Sequence, residues 1–106
     1  MPEIVVVNQE EFFKEIKSDK LVLVDFFAEW CGPCRALGRI LEEEKSELPV
    51  SKIIKVNIDN EGDLANQYGI SSIPTIMLCR NSQVIKTHTG SKNGEDLKEW
   101  VEEAVA

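Results

Sequence analysis

The sequence predicts an α/β fold in which a central mixed β-sheet lies between two layers of helices. Three observations lead to this prediction. Short apolar segments with strand character alternate with segments of helical periodicity, in the order β-α-β-α-β-α-β-β-α. One strand segment is apolar on both faces, which is typical of a strand covered by helices on both sides. The last two strand segments are joined by a tight turn, so antiparallel strands are added to a sheet that begins with parallel crossover units.

The first three elements can be placed from their apolar patterns and from one helix start signal. A short apolar strand is expected at residues 4–7. Asn8, with Glu11 three residues later, has the pattern of a capping box, and the helix that it begins is expected to end near Ser18. Residues 21–28 are apolar at both odd and even positions, so we expect this strand to be central in the sheet.

The middle of the chain continues the alternation. Residues 33–48 carry apolar side chains at helical spacing, and Pro49 is expected to stop this helix. The next strand is expected at residues 53–58. A short helix at residues 61–68 follows, with Gly69 placed as its C-terminal cap.

The end of the chain predicts a hairpin and a final helix. An apolar strand at residues 74–80 is followed by a tight turn at Asn81-Ser82 and by a more polar strand at residues 83–89, which is expected at or near an edge of the sheet. The last helix is expected after a turn at residues 91–94. Its apolar stripe consists of Leu97, Trp100, Val101, Ala104 and Val105.

Composition and charge narrow the range of functions. The chain has 106 residues, of which 42% are hydrophobic, and this suits one domain spanning residues 1–106. The net charge of −7 and the lack of a basic patch argue against nucleic acid and membrane as partners. No apolar run approaches the ~20 residues of a membrane-spanning helix. The N-terminal residues do not have the pattern of a signal peptide, so we expect a cytoplasmic protein.

The strongest chemical signal is the motif Cys31-Gly32-Pro33-Cys34, which directly follows the central strand and begins a helix. The spacing places both sulfurs on one side of the first helical turn, close enough for a disulfide. The N-terminal end of a helix favours a thiolate, because its first N–H groups are free to donate hydrogen bonds and the positive end of the helix dipole lies there. We therefore expect Cys31 to be exposed and nucleophilic, and Cys34 to be shielded and to act as the resolving thiol.

A zinc site is the alternative interpretation of the two closely spaced cysteines. A tetrahedral site needs four ligands, and the soft candidates in this chain are Cys31, Cys34, Cys79 and His88. Such a site would use one widely spaced pair and a Cys-x-x-Cys segment inside a helix. The strand–motif–helix context favours redox chemistry instead, so no metal site is expected.

The segment Val24-Asp25-Phe26-Phe27-Ala28-Glu29-Trp30-Cys31-Gly32-Pro33-Cys34 resembles the active-site segment of the thioredoxin family. Further similar stretches lie at residues 55–59, 68–70 and 73–75 and at Gly90, so the resemblance extends along nearly the whole chain. It implies the thioredoxin fold, reduction of protein disulfides without a bound cofactor, and re-reduction by a thioredoxin reductase that is generally NADPH-dependent. We expect a monomer. The chain departs from the family pattern at Phe27, Arg39 and Ser82, where many members have tryptophan, proline and glycine respectively.

Asp25 is the second residue that points to chemistry. An aspartate inside an apolar strand is expected to be buried, and burial of a carboxylate raises its pKa. It could be a structural residue that is hydrogen-bonded at a strand end. The resemblance instead makes it a proton acceptor for Cys34. Lys55 is either a plain surface charge or a partner that tunes Asp25.

The resemblance also implies a shallow site for an extended peptide around Cys31. The Ile73-Pro74 bond is expected to be cis and to face the cysteines, which would leave the backbone of Ile73 free to pair with the substrate. The apolar docking surface would be formed by Trp30, Gly32, Pro33, Ile73 and Gly90. Each of these residues taken alone could serve ordinary packing.

Two further interpretations complete the expectations. Cys79, in an apolar strand far from the pair, is expected to be a buried and inert thiol. A non-catalytic role as a structural subunit of a larger assembly is the alternative function. The intact cysteine pair and Asp25 argue against this alternative, because binding alone needs neither.

Overall fold

Over residues 2–105, which the computed structural model describes, five strands and four α-helices alternate in the predicted order. The elements are β1 (Ile4–Val6), α1 (Gln9–Glu15), β2 (Val22–Phe27), α2 (Gly32–Glu44), β3 (Lys52–Asn57), α3 (Gly62–Gln67), β4 (Thr75–Arg80), β5 (Gln83–Thr89) and α4 (Gly94–Glu103). Within these residues, no helix is long and apolar enough to cross a membrane.

The strands form one mixed sheet in the order β1-β3-β2-β4-β5. The strands β1, β3 and β2 run parallel to one another, and β4 and β5 join them as antiparallel neighbours. The strand β2 is central, and its residues are buried from Val22 to Phe26. The mixed sheet, the central position of β2 and the edge position of β5 are therefore confirmed.

Two cores lie on opposite faces of the sheet. The odd-numbered residues of β2 face α2 and α4, where Leu23 is buried with Leu37 and Leu97. The even-numbered residues face α1 and α3, where Val24 is buried with Phe12. Because side chains alternate along a strand, a strand apolar at every position fills both cores. This arrangement is the predicted three-layer architecture.

Two predicted helix caps are present. The Asn8 side chain accepts a hydrogen bond from the Glu11 N–H at 2.8 Å, and the Glu11 carboxylate accepts one from the Asn8 N–H at 2.9 Å, which completes the capping box. At the end of α3, Gly69 has a φ of +67° and its N–H donates to the Asn66 carbonyl at 3.0 Å. A glycine in this left-handed conformation is a common helix terminator.

The second helix is shorter than the sequence predicts. It ends at Glu44, and residues Lys45–Glu47 form a 3-10 turn in place of its expected last turn. Three successive carboxylates, beginning at Glu42, lie at the C-terminal end of α2. Negative charge there opposes the helix dipole, which gives a physical reason for the early end.

The last helix also begins and ends at residues other than those predicted. Gly94 is its first residue and not part of the preceding turn, because Asn93 caps the helix by accepting a hydrogen bond from the Asp96 N–H at 2.8 Å. The helix is capped at Ala104, so Val105 lies beyond it and is 56% exposed. The predicted place of Val105 on the buried stripe is wrong.

The turn between β4 and β5 is hydrogen-bonded to the segment that follows α1. Both turn residues have left-handed backbone conformations, with φ of 54° at Asn81 and 62° at Ser82. Their N–H groups donate to the carbonyls of Ser18 and Ile16, each at 2.8 Å. The helix α1 ends at Glu15 and not near Ser18 as expected, because the Ser18 N–H donates to the Glu15 carbonyl, three residues back instead of four, at 3.3 Å.

Replacement of Ser82 by glycine should stabilise the protein. A side chain in the left-handed region costs about 1–2 kcal/mol, and glycine recovers most of this while adding flexibility to the unfolded chain. We expect a net gain of about 0.5–1 kcal/mol in the free energy of unfolding, measured by urea denaturation. Ser82→Ala, which keeps the Cβ atom, is the control and should show no gain. A Ser82→Gly protein no more stable than the Ala variant would contradict the prediction.

Candidate active site

The two motif cysteines lie where β2 leads into α2. Cys31 is the N-cap residue of α2, and Cys34 lies in the first turn of the helix. The two are joined by a disulfide, and their Cα atoms are 5.2 Å apart. Gly32 and Pro33 occupy the first two helical positions, where the missing N–H of proline costs no helical hydrogen bond.

The start of α2 places a hydrogen-bond donor at the first sulfur. The Cys34 N–H donates to the Cys31 Sγ at 3.2 Å. In the reduced protein the same donor, together with the positive end of the helix, would stabilise negative charge on that sulfur. This geometry favours Cys31 as the more readily ionised thiol of the pair.

The burial of the pair corrects one expectation. In this disulfide-bonded form Cys31 is only 6% exposed, and Cys34 is 2% exposed. The predicted exposure of Cys31 is therefore wrong, although Cys31 remains the less buried cysteine. The physical reason is the apolar cover, because Ala28, Phe27 and Ile73 pack around the disulfide.

The residues predicted for peptide docking lie around the pair. The Ile73-Pro74 bond is cis, and Ile73 is half-buried against the cysteines. Gly90, with φ of +102°, donates its N–H to the Pro74 carbonyl at 2.8 Å, which ties the end of β5 to this position. Beside Cys31 along the chain, Trp30 is 67% exposed. Gly32 and Pro33 are also exposed.

Asn57 and Asp59, at the end of β3 and just after it, were not predicted to belong to the site. The Trp30 Nε1–H donates to the Asp59 carboxylate at 2.9 Å. Asp59 is itself held by a hydrogen bond from its N–H to the Asn57 side chain, also at 2.9 Å. This contact orients an otherwise exposed indole ring. The resemblance at residues 55–59 was the available signal, but it assigned no role to Asp59.

Asp25 is fully buried in the middle of β2. Its register partners are Lys55 on β3 and Ile76 on β4. Among the residues that the structure describes, neither carboxylate oxygen has a hydrogen-bond partner. Burial raises the pKa of Asp25 to about 6, and the positive charge of Lys55 partly opposes this rise. The predicted burial and the direction of the pKa shift are confirmed.

Lys55 is more than a plain surface charge. Its Nζ lies 4.4 Å from the centroid of the Phe27 ring, on the face of the sheet that holds Asp25. The helix α2 passes over it at Gly38, where an added Cβ atom would lie 3.4 Å from the Lys55 Nζ. The ammonium group is thus confined near the carboxylate, and its charge lowers the pKa that burial alone would give Asp25.

The other two candidates for a metal site lie elsewhere. Cys79 is a free thiol, fully buried in the core on the α1/α3 face, and burial raises its pKa to about 11. His88 lies on β5 with its ring against Trp100, the two centroids being 6.3 Å apart. Over residues 2–105, no group of three or more His, Cys, Asp or Glu residues could hold a metal ion.

Comparisons with known proteins give a consistent result. The thioredoxin family model matches residues 3–103. The chain is 43% identical over 101 residues to a thioredoxin from Rickettsia felis, covering 93% of this chain and 96% of that protein. It is 47% identical over 92 residues to a thioredoxin from Chlamydia trachomatis, covering 87% of this chain and 89% of the relative.

Solved structures agree in fold. A thioredoxin from Plasmodium falciparum superposes with a TM-score of 0.80 at 36% identity, covering 93% of this chain and 96% of that one. A mutant thioredoxin from Halobacterium salinarum superposes with a TM-score of 0.84 at 27% identity, covering 99% and 92% respectively. The predicted fold class is therefore confirmed.

The buried carboxylate predicts a particular dependence of stability on pH. The pKa of Asp25 is about 6 in the folded protein, against 3.8 for the ordinary group. Well below pH 3.8 the group is protonated in both the folded and the unfolded state, so its ionisation carries no penalty. Between these two values the unfolded chain ionises more readily, so stability falls as pH rises, by on the order of 3 kcal/mol. Above the pKa of Asp25 in the folded protein, the group is ionised in both states and the stability falls no further.

Replacement of Asp25 by asparagine should remove this loss, since asparagine keeps the shape but does not ionise. We expect Asp25→Asn to be more stable than the wild type at neutral pH and similar near pH 4, as measured by urea midpoints across this range. Asp25→Ala should behave similarly, less the cost of a small cavity. Asp19→Asn, at an exposed position, is the control and should keep the wild-type slope. An unchanged slope in Asp25→Asn would show that Asp25 does not cause it.

Proposed function

The chain belongs to the thioredoxin family and is a thiol–disulfide oxidoreductase that reduces protein disulfides, and from this premise we propose a role for each residue of the site. The observation that carries the proposal is the Cys31–Cys34 disulfide at the N-terminal end of α2. It supports a cycle in which the pair is oxidised once for each disulfide that is reduced.

Cys31 is the nucleophile and Cys34 is the resolving thiol. The Cys31 thiolate attacks one sulfur of the substrate disulfide, and that S–S bond breaks to release the first substrate thiolate. Cys34 then loses its proton and attacks the Cys31 Sγ of the mixed disulfide. This second step releases the other substrate thiolate and forms the Cys31–Cys34 disulfide, so two electrons pass to the substrate. The N-cap position of Cys31 and the deeper burial of Cys34 support this order.

Asp25 is the acceptor for the proton that Cys34 loses. A base works best when its pKa is near the working pH, and burial brings the pKa of Asp25 to about 6. Lys55 is a positioning residue whose charge limits this rise. Without that charge Asp25 would stay protonated at a higher pH and would accept a proton less readily.

An extended segment of the substrate docks on Trp30, Gly32, Pro33, Ile73 and Gly90, beside the cis Pro74. In the described chain, no hydrogen bond to the N–H or C=O of Ile73 competes with such pairing. The exposed ring of Trp30 supplies apolar area next to Cys31, and its bond to Asp59 keeps it in place. Main-chain pairing supports broad substrate use, because it does not depend on the sequence of the partner.

Membership of the family implies a reductase that restores the dithiol. We propose that this reductase is NADPH-dependent, that the protein acts as a monomer, and that residues 1–106 function as one domain. The two cores on one shared sheet support the last point. We also propose a cytoplasmic location, since a free Cys79 and a pair that must return to the reduced state suit a reducing compartment.

Replacement of each cysteine separates their roles. Cys31→Ser should abolish reduction of a protein disulfide, because the attacking thiolate is gone. Cys34→Ser should also stop turnover but should accumulate a mixed disulfide through Cys31, visible by mass spectrometry. Turnover is measured as NADPH oxidation in the presence of a thioredoxin reductase, and separately with dithiothreitol as the electron donor. Activity with dithiothreitol but not with NADPH and the reductase would contradict the proposed NADPH-dependent partner and leave the reductase role intact.

Cys79→Ala is the matched control for these variants. Its thiol lies in a different core from the pair, so this variant should keep wild-type turnover. Stable adducts on Cys31→Ser and none on Cys34→Ser would reverse the two assigned roles.

The tuning role of Lys55 is tested by the pH profile of turnover. Lys55→Met keeps an unbranched apolar stem against Phe27 but removes the charge, so the pKa of Asp25 should rise above its wild-type value. The pH at which turnover is half-maximal should rise with it. Lys52→Met is the control, because Lys52 lies on the same strand but on the other face of the sheet, paired with Glu15. Equal shifts in the two variants would contradict a specific role for Lys55.

A further inference from the structure

A stretch of positive charge begins at the redox pair. Cys31, Arg35 and Arg39 follow at four-residue intervals, so they lie along one face of α2. Arg35 and Arg39 line a surface cleft of about 580 Å³, and the other wall carries Lys55 of β3 and Ile4 of β1. These three cations, Arg35, Arg39 and Lys55, are called the cationic cleft below.

Among the described residues, no ion pair holds a cation of the cationic cleft, although Glu42 and Glu43 also line the cleft beyond Arg39 and Lys55 lies near the buried Asp25. The Arg35 guanidinium donates to the backbone carbonyl of Glu29 at 2.7 Å, and this contact leaves its charge intact. In a chain with a net charge of −7, such a cluster next to the reacting sulfurs stands out as a place for negative charge to bind.

We propose that the cationic cleft binds acidic side chains of the substrate protein that lie close in sequence to its reacting cysteine. The proposal deepens the reductase role and rests on Cys31 being the atom that joins the substrate. In addition to the broad main-chain docking described above, the protein would then prefer disulfides that have acidic residues near the reacting cysteine. The occupant is thus an acidic segment of the substrate, held by charge complementarity and contiguous with the site of attack.

The length of α2 sets the reach of this contact. A helix rises 1.5 Å per residue, so Arg35 and Arg39 lie roughly 6 and 12 Å along the axis from Cys31. An extended substrate segment advances about 3.3 Å per residue, so the acidic residues should lie roughly two to four positions from the reacting cysteine. Charges farther away than about 8 Å are screened at physiological salt, so a more distant acidic residue would add little.

The far end of the cleft limits the acidic segment. Glu42 and Glu43 line the cleft one turn beyond Arg39. They would repel carboxylates placed farther along the same path. The cationic cleft therefore fits a short acidic cluster next to the cysteine and disfavours a long acidic tract.

Matched peptide disulfides test this preference. The probes carry aspartates at positions roughly two to four residues from the cysteine, asparagines at the same positions, or aspartates only at about six to eight residues away. The value of kcat/KM should be about tenfold higher for the near-aspartate probe than for the asparagine probe at low salt. This ratio should fall at high salt, and the distant-aspartate probe should gain nothing.

Arg39 is the cation to replace, because Lys55 neighbours Asp25 and Arg35 holds the loop before Cys31. Arg39→Gln should lower the near-aspartate to asparagine ratio by about two- to fivefold, and Arg39→Glu should lower it further. Arg39→Lys should retain most of it. Arg80→Gln is the control, since Arg80 is at the end of β4 opposite to Pro74 and should leave the ratio unchanged.

The outcomes separate the inference from the reductase role. Equal rates for near-aspartate and asparagine probes, or equal effects of Arg39→Gln and Arg80→Gln on their ratio, would overturn the cationic cleft as a specificity site. Reduction of the asparagine probe tests the reductase role by itself. A protein that reduces no probe at all would contradict that role.

Discussion

The structure depends on the burial of β2 from Val22 to Phe26. This strand pairs with β3 on one side and with β4 on the other, and it contributes side chains to both cores. Because it is held on every side, the chain that leaves its C-terminal end has a fixed origin and direction. Cys31 follows Phe27 by four residues and Cys34 follows it by seven, so the position of the reacting sulfurs is set by a strand that packs into both cores. Rigid support of this kind is what a site of fixed geometry requires.

The same burial creates the chemistry of Asp25 and its cost. A carboxylate at an odd position of β2 points into the core beneath α2, where no described protein group donates a hydrogen bond to it. Its raised pKa lowers the stability of the folded protein at neutral pH, and a leucine or valine there would pack without this cost. Lys55, opposite Asp25 on the neighbouring strand, reduces the penalty but does not form a hydrogen bond with the carboxylate. The position therefore exchanges stability for a carboxylate whose pKa is near neutrality.

The features that local sequence predicts are those that depend on local physics. Propensity, periodicity and short spacings predict the order of strands and helices, the capping box at Asn8, the cap at Gly69 and the position of the cysteine pair at the start of α2. The segment after α1 depends on distant residues, because the carbonyls of Ile16 and Ser18 accept hydrogen bonds from the β4–β5 turn, and local sequence does not predict this contact.

Features of the site that depend on residues distant in sequence were likewise not predicted from the sequence. The bond from Trp30 to Asp59 joins residues separated by 29 positions, and the cover over the disulfide comes partly from Ile73. Neither contact leaves a pattern in the residues next to the motif.

The burial of Cys31 was missed for this reason, since helix geometry alone places the N-cap side chain at the surface. The resemblance brought Ile73 and Pro74 to the site, but it carried no information about how tightly they cover the sulfurs. In the oxidised protein the disulfide that reacts is thus itself buried, and side chains from three separate segments, Phe27, Ile58 and Ile73, pack against it. The Cys34 N–H that faces the Cys31 sulfur in this oxidised state belongs to the first turn of α2. The donor that would stabilise the attacking thiolate is therefore in place before the reaction begins, which reduces the reorganisation that each half of the cycle requires.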